Sequence, residues 1–161
     1  MVKRYKLLVF SLLFAILFSQ YGYCSGRYSQ LFSNNDATYS LDTFTFNVTK
    51  DNQHIYFNVW IRVDYTTQGK LDLVSQRLCF GLKTVNYQNL QYSLCHYVFA
   101  IDGIHNKWMG LQYIDYDNQA FILVNHTFNN SDYVDIIPSS VGESMLLGIA
   151  SYCSANQIYP Y

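Results

Sequence analysis

The chain has 161 residues, with ten Lys or Arg against eleven Asp or Glu, half of its residues hydrophobic, 16 Tyr, 11 Phe and only two Pro. So small a charge imbalance excludes a polyanion-binding basic protein, and so aromatic a composition excludes a disordered chain. Strands and partly buried faces are favoured instead.

Lys3, Arg4 and Lys6 precede the apolar run Leu7 to Phe18, and the small residues Gly22, Cys24, Ser25 and Gly26 follow. This is the order of a secretory signal peptide over residues 1–24, and the run falls short of the about 20 residues that span a bilayer. The expectation is a secreted, extracellular chain beginning near Ser25, with residues 25–161 as a single domain and no membrane insertion after cleavage. Losing the three leader cations leaves seven basic against eleven acidic residues, a net charge of −4, so nucleic acid is not an expected partner.

Beyond the leader the chain alternates with period two. Tyr28 to Phe32 opens as a short strand, and Ser33 to Leu41 reads as a loop. Phe44, Phe46 and Val48 alternate with Thr43, Thr45, Asn47 and Thr49, and the polar bridge Lys50 to Gln53 has hairpin length. In Ile55 to Val63 one face carries Ile55, Phe57, Val59, Ile61 and Val63, and the other Tyr56, Asn58, Trp60 and Arg62: a strand with one dry face. Further strands are expected at Leu71 to Leu82, bent near Ser75 to Arg77, and at Gln91 to Ile101. Lys107 to Ile114 and Gln119 to Phe128 form a hairpin about the polar corner Asp115-Tyr116-Asp117-Asn118, and Asp132 to Ile137 adds a short strand. The pattern changes after Pro138. Ser140 and Glu143 stand at capping-box spacing, and Val141, Met145, Leu146, Ile149 and Tyr152 make an apolar stripe, which predicts a helix over Val141 to Cys153. Gln157 to Tyr159 could add a final strand. No gap between the strands leaves room for a crossover helix, so sequential antiparallel pairing is the economical topology.

Three sequons accompany the leader, at Asn47, Asn125 and Asn129, and predict a glycoprotein. Cys79, Cys95 and Cys153 are the cysteines after the leader, an odd number that allows one disulfide bond. Cys79 with Cys95 would close a loop worth about 3 kcal/mol, whereas pairing either with Cys153 would tie the C-terminal segment to the sheet. No Cys or His spacing suits a zinc site, and neither metal nor cofactor is expected.

Eight strands, one late helix and a short strand after it make an order of elements that resembles the lipocalins. Gly26-Arg27-Tyr28 looks like that family's Gly-x-Trp opening with Tyr in the Trp place, and Asp115-Tyr116 is similar to its Thr-Asp-Tyr corner with Ile114 replacing Thr. Asp132 to Pro138 running into the capped helix resembles the last barrel strand entering the family helix. The family's Arg before that helix has no counterpart among Val134 to Ile137. The resemblance implies an all-β fold: an antiparallel up-and-down eight-stranded β-barrel with one C-terminal α-helix, holding a small hydrophobic or amphipathic ligand inside. The lining would then come from Ile55, Phe57, Val59, Ile61 and Val63, joined by Tyr92, Leu94, Val98, Met109, Leu111 and Tyr113 from neighbouring strands.

Catalysis finds no support in the pattern. Ser144 lacks the flanks of a nucleophile elbow, and Cys95 and His96, adjacent in a strand, point to opposite faces. Asp115 and Asp117 offer too few oxygens for calcium and read as a solvated turn at the barrel rim. The expectation is a secreted, non-enzymatic carrier or sequestering protein. The alternative is a secreted antiparallel β-sandwich that binds another protein through surface aromatics such as Trp60 and Trp108.

Overall fold

The computed structural model describes residues 26–102, 105–129 and 132–159. The leader expected over residues 1–24 lies outside the described residues.

Eight antiparallel strands form one sheet. They are β1 (Tyr28–Ser33), β2 (Ala37–Asp42), β3 (Asn47–Lys50), β4 (Ile55–Tyr65), β5 (Leu90–Ile101), β6 (Lys107–Asp117), β7 (Ile122–Thr127) and β8 (Val134–Asp135). The spatial order is β1-β2-β4-β5-β6-β7, with β3 pairing the first part of β4 and β8 the first part of β6. The sheet is not closed, because β1 and β7 are its two ends and do not pair. All eight strands among the described residues belong to this one hydrogen-bonded sheet. An all-β fold with a C-terminal helix is what the chain adopts.

The hairpin over Phe44 to Val63 forms as β3 and β4, with Val48 opposite Phe57. Its turn is built by Asp51, whose Oδ1 accepts from the amides of Gln53 and His54 at 2.8 and 2.7 Å. Those donors hold the Asp51 carboxyl down to about 2, with the Tyr56 hydroxyl as a third. The stretch read as a loop from Ser33 to Leu41 supplies β2 instead. Asn34 turns the chain by accepting from the amides of Asp36 and Ala37, and β2 then inserts between β1 and β4. Its Thr, Ser and Tyr content hid a strand whose Leu41 is fully buried.

The second correction is larger. Leu71 to Leu82 is not a strand: Thr67–Cys79 is a helix, α1. The Leu-Asp-Leu-Val run mimics period two, but the inner face is Gly69, Leu73 and Arg77, spaced by four. The apolar Leu71 and Leu78 are exposed. Thr66 caps the helix, its Oγ1 accepting from the Gly69 amide at 3.1 Å, and its own amide donates to the Asp36 carbonyl oxygen at 2.8 Å. The cap thus docks α1 onto the β1–β2 turn. A 3-10 turn over Tyr87–Asn89 then leads into β5.

The late helix, α2 (Val141–Ala155), forms where the stripe predicts it and buries Met145, Leu146, Ile149 and Cys153 against Leu41, Val59, Ile61 and Phe99. Ser140 Oγ accepts from the Glu143 amide at 3.2 Å, while the Glu143 carboxylate reaches one residue further back, to the Ser139 amide at 2.6 Å. Residues 157–159 form no strand; the Ile158 amide instead donates to the Cys153 carbonyl oxygen at 2.9 Å and closes the helix end.

Gly69 is where the helix and the turn touch most closely: a Cβ there would stand 2.0 Å from the Asp36 carbonyl oxygen. Gly69→Ala is expected to destabilise the protein by about 2–3 kcal/mol, the cost of forcing backbone apart in a packed contact. Urea unfolding checks it, and an unchanged midpoint would mean that α1 does not dock here.

Candidate functional site

The cross-strand register sorts the side chains into two faces. Val59, Tyr97 and Gly110 share one row, Ile61, Cys95 and Tyr113 the next, and Val63, Ser93 and Asp115 the third. These rows lie on the face that α1 and α2 cover. Between α1 and strands β5 and β6 is a cleft of about 540 Å³, with Leu73, Arg77 and Phe80 on one side and Tyr65, Tyr97, Trp108 and Tyr113 on the other. Beside it, toward α2, is a second cleft of about 470 Å³ reaching Tyr39, Val63, Ile137 and Met145. The two share Tyr65, Cys95, Tyr97, Trp108 and Val134, so they form one trough along the covered face. A larger groove of about 730 Å³ between β1 and α2, lined by Gln30, Leu147 and Ser151 among others, has no buried polar group converging on it.

The trough is walled mostly by apolar and aromatic side chains, with Asp132, Asp135 and Ser140 also on its lining, and its α1 end carries a buried polar cluster. There Asp115, 3% exposed, accepts hydrogen bonds from the Tyr87 and Ser93 hydroxyls. The Tyr65 hydroxyl lies 3.1 Å from Ser93 Oγ; because Ser93 gives its own proton to Asp115, Tyr65 is the donor of that pair. Arg77 reaches in from α1, its Nη1 3.8 Å from Asp115 and 3.3 Å from the Tyr113 hydroxyl oxygen. Nε donates to the Lys83 carbonyl oxygen, and the guanidinium lies over the Tyr87 ring, 4.6 Å from its centroid.

This overturns the reading of Asp115 as a solvated turn residue at a rim. Asp115 is inside β6, and the real corner comes two residues later, where Asp117 Oδ1 accepts from the amides of Gln119 and Phe121. Ala120 in the left-handed region, φ 64°, completes it. Asp117 is the turn-former; Asp115 belongs to the core. Among the described residues no cluster of His, Cys, Asp and Glu has the geometry to hold a metal ion.

Of the residues expected to line an interior, Phe57, Val59, Ile61, Val63 and Tyr113 do share the covered face, with Ile55 at its end. Val63 and Tyr113 reach the trough, whereas Val59 and Ile61 are sealed in the core beneath α2. Tyr92, Leu94, Val98 and Met109 lie on the opposite face, in register with Asp64, Arg62 and Asn58. The β5 sequence is apolar on both faces, so alternation could not choose between them, and the inward residues proved to be the less obvious Ser93, Cys95, Tyr97 and Phe99. Leu111 is the extra residue of a bulge, since His96 pairs with Gln112 and Tyr97 with Gly110.

Tyr65, Arg77, Ser93, Trp108 and Asp115 were missed as a group. Tyr65 continues the Ile55–Val63 parity by one step, and that signal was available. Arg77 was hidden by the strand reading of its helix. Trp108, read as an outward contact, faces the trough and packs against Tyr97 at 4.9 Å between ring centroids. Among the described residues no helix covers the far face. Its aromatics stack in cross-strand pairs, Trp60 on His96 at 4.7 Å and Tyr92 on Tyr116 at 4.8 Å, with Arg62 over Tyr92 at 4.1 Å. Asn47, Asn125 and Asn129 are all exposed, with Asn125 Oδ1 accepting from Gln112 Nε2 at 2.8 Å.

No disulfide joins Cys79, Cys95 and Cys153, in contrast to the expected bridge: Cys79 is exposed on α1, and the other two are buried. Burial pushes the Cys95 thiol up to about 12 and raises that of Cys153. Burial likewise raises the Tyr65 hydroxyl far above its ordinary range.

Compared with protein-family models, with curated proteins and with solved structures, the chain has no match.

Two measurements test these burials. A thiol reagent at pH 8 is expected to label Cys79 quickly and leave Cys95 and Cys153 protected until guanidinium is added; equal labelling of all three in the native protein contradicts the packing. Stability should also fall at alkaline pH. A folded-state pKa raised from 9 to about 12 at Cys95 means that above pH about 9 the unfolded chain loses a proton that the folded one keeps. The midpoint of denaturant unfolding should thus hold steady from pH 6 to 8 and decline through the window from about 9 to 12.

Proposed function

We propose that this protein binds a small amphipathic molecule in the trough on the covered face of its sheet, as an extracellular carrier or sequestering protein without catalytic activity. The observation that carries this reading is an apolar, aromatic-walled cleft that ends at a buried polar cluster. Small-molecule sites are concave, mostly apolar, of about 300–1,000 Å³, and carry a few polar groups that fix orientation. In this reading the ligand lies between an open sheet and two helices rather than inside a closed barrel.

The binding reading is favoured over chemistry by the state of the candidate nucleophiles. Ser93 donates its proton to a carboxylate and has no imidazole beside it among the described residues. Cys95 is held protonated by burial, and His96 stacks on Trp60 across the sheet from it. It is favoured over docking through the far face because the rings there are already stacked on one another. Action outside the cell rests on the leader pattern and the sequons.

Trp108 reports on the trough, whereas Trp60 on the far face does not. Titration with a long-chain fatty acid, a retinoid or an apolar dye should give saturable quenching of Trp108 at micromolar affinity, about −8 kcal/mol. Gly110 lies on the trough floor, where a Cβ would meet Phe128 and Tyr97 at 3.7 and 3.8 Å. Gly110→Leu should therefore fill the space and weaken binding at least about tenfold. Flat titrations with all three ligands would sink the proposal.

A further inference from the structure

Two hydrogen-bond donors converge at the α1 end of the trough with nothing among the described residues to receive them. Arg77 uses Nε on the Lys83 carbonyl oxygen and Nη1 on the Tyr113 hydroxyl oxygen, each at 3.3 Å, and Nη2 has no hydrogen-bond partner among those residues. Tyr113 accepts from Arg77, so its own O–H remains to donate into the cleft. Asp115 accepts from Tyr87 and Ser93, and it pairs with Arg77 only as an ion: the nearest guanidinium nitrogen is 3.8 Å away, beyond hydrogen-bonding range. Asp132, at the cleft mouth, is not within ion-pair distance of Arg77.

Adjacent donors from a guanidinium and a phenol, with no acceptor, suit a group that carries two acceptor oxygens and a negative charge. The rest of the lining speaks for the body of the ligand. Tyr65, Tyr97, Trp108, Phe128 and Phe80 wall the cleft, and ring faces and edges are best matched by another flat ring system in offset or edge contact. Gly110 leaves the floor between Tyr97 and Phe128 without a side chain.

We propose that the trough is selective for a flat aromatic carboxylate, with its two oxygens on Arg77 Nη2 and the Tyr113 hydroxyl and its rings between Tyr97, Trp108 and Phe128. This deepens the binding reading above and rests on it. Asp115 nearby, with Asp132 and Asp135 also on the lining, opposes the incoming charge, which holds the gain to the lower end of what a charge-assisted pair of bonds supplies, about tenfold over a neutral analogue.

The test uses the purified protein and three probes followed by Trp108 quenching or calorimetry: 9-anthracenecarboxylate, 9-anthracenemethanol and dodecanoate. The aromatic acid is expected to bind about tenfold more tightly than the alcohol and more tightly than the aliphatic acid. Tyr113→Phe, which keeps the ring and removes the donor, should cut the preference for acid over alcohol several-fold with little effect on the alcohol itself. Arg77→Met should abolish that preference; because it also strands Asp115, its melting temperature is measured alongside, and the Tyr113→Phe result holds whether or not it folds. Equal affinity for acid and alcohol, or a preference untouched by Tyr113→Phe, overturns the carboxylate assignment while leaving the trough a binding site. Dodecanoate binding as tightly as the aromatic acid overturns the aromatic assignment. Failure of all three probes removes this inference, and flat titrations with the retinoid and the apolar dye as well remove the binding reading beneath it.

Discussion

The Asp115 carboxylate joins parts of the chain that local sequence alone would leave independent. It stands on β6, takes hydroxyl donors from the 3-10 turn and from β5, and faces the guanidinium that α1 delivers. Removing one charge of such a buried pair strands the other, at a cost of about 3–5 kcal/mol. That is a large share of the 5–15 kcal/mol that stabilises a small domain. The intact pair contributes far less than this, because both ions gave up hydration to form it. What it supplies is position. Arg77 is held from four sides, by Lys83, Tyr113, Tyr87 and Asp115, and with its guanidinium fixed α1 can settle on the sheet in one rotation only.

Fixing α1 in this way explains how one open sheet makes a stable domain. A sheet needs one face dry, and here two helices share that task, α2 over the middle of β2, β4 and β5 and α1 over the end of β5 and β6. The space between them is the trough. On the other face, which no helix of the described residues covers, the aromatic side chains cover one another. Trp60 and His96 are direct register partners, and stacked aromatic pairs add about 0.5–1.5 kcal/mol beyond the area they bury. Arg62 lies along Tyr92 and pairs with Asp64 at 2.8 Å, so its charge stays at the surface while its stem covers carbon.

The parts of this fold legible in the sequence are those where one signal acts alone. Ile55 to Val63 has a single dry face, and its parity survives unchanged in β4. Ser140 with Glu143 marks the start of α2, and the stripe through Met145 and Ile149 marks its buried side. Illegible parts arise where two signals coincide. Leu71-Asp72-Leu73-Val74 satisfies period two by accident, while the helix is decided by the Thr66 cap and by a glycine at 69 that lets the turn at Asp36 approach. In β5 both faces are apolar, so the choice between them falls to the covering helices, which local pattern does not contain. Asp115 was lost for a related reason: flanked by Tyr116 and Asp117 it looks like part of a polar corner. Only its pairing with Ser93 across the sheet, and the arrival of Arg77 from a helix, turn it into a core residue.

The consequence for the site is directional. A purely apolar trough would admit an oily molecule in either orientation, since dispersion and the hydrophobic effect carry no sense of direction. In the proposed site, the donors of Arg77 and Tyr113 at the α1 end would break that symmetry. A ligand entering with its apolar end toward Arg77 and Tyr113 strips water from both donors and leaves them unpaired, at a cost of about 1–3 kcal/mol each. Entering with an acceptor foremost avoids that cost and gains the bonds. Discrimination of this kind rejects the wrong ligand more strongly than it rewards the right one, because the penalty for a dry donor exceeds the net value of a bond that water would otherwise have made. The same buried charges that dock α1 would therefore also orient a ligand in the proposed site, so that structural specificity and ligand orientation would come from one cluster of side chains.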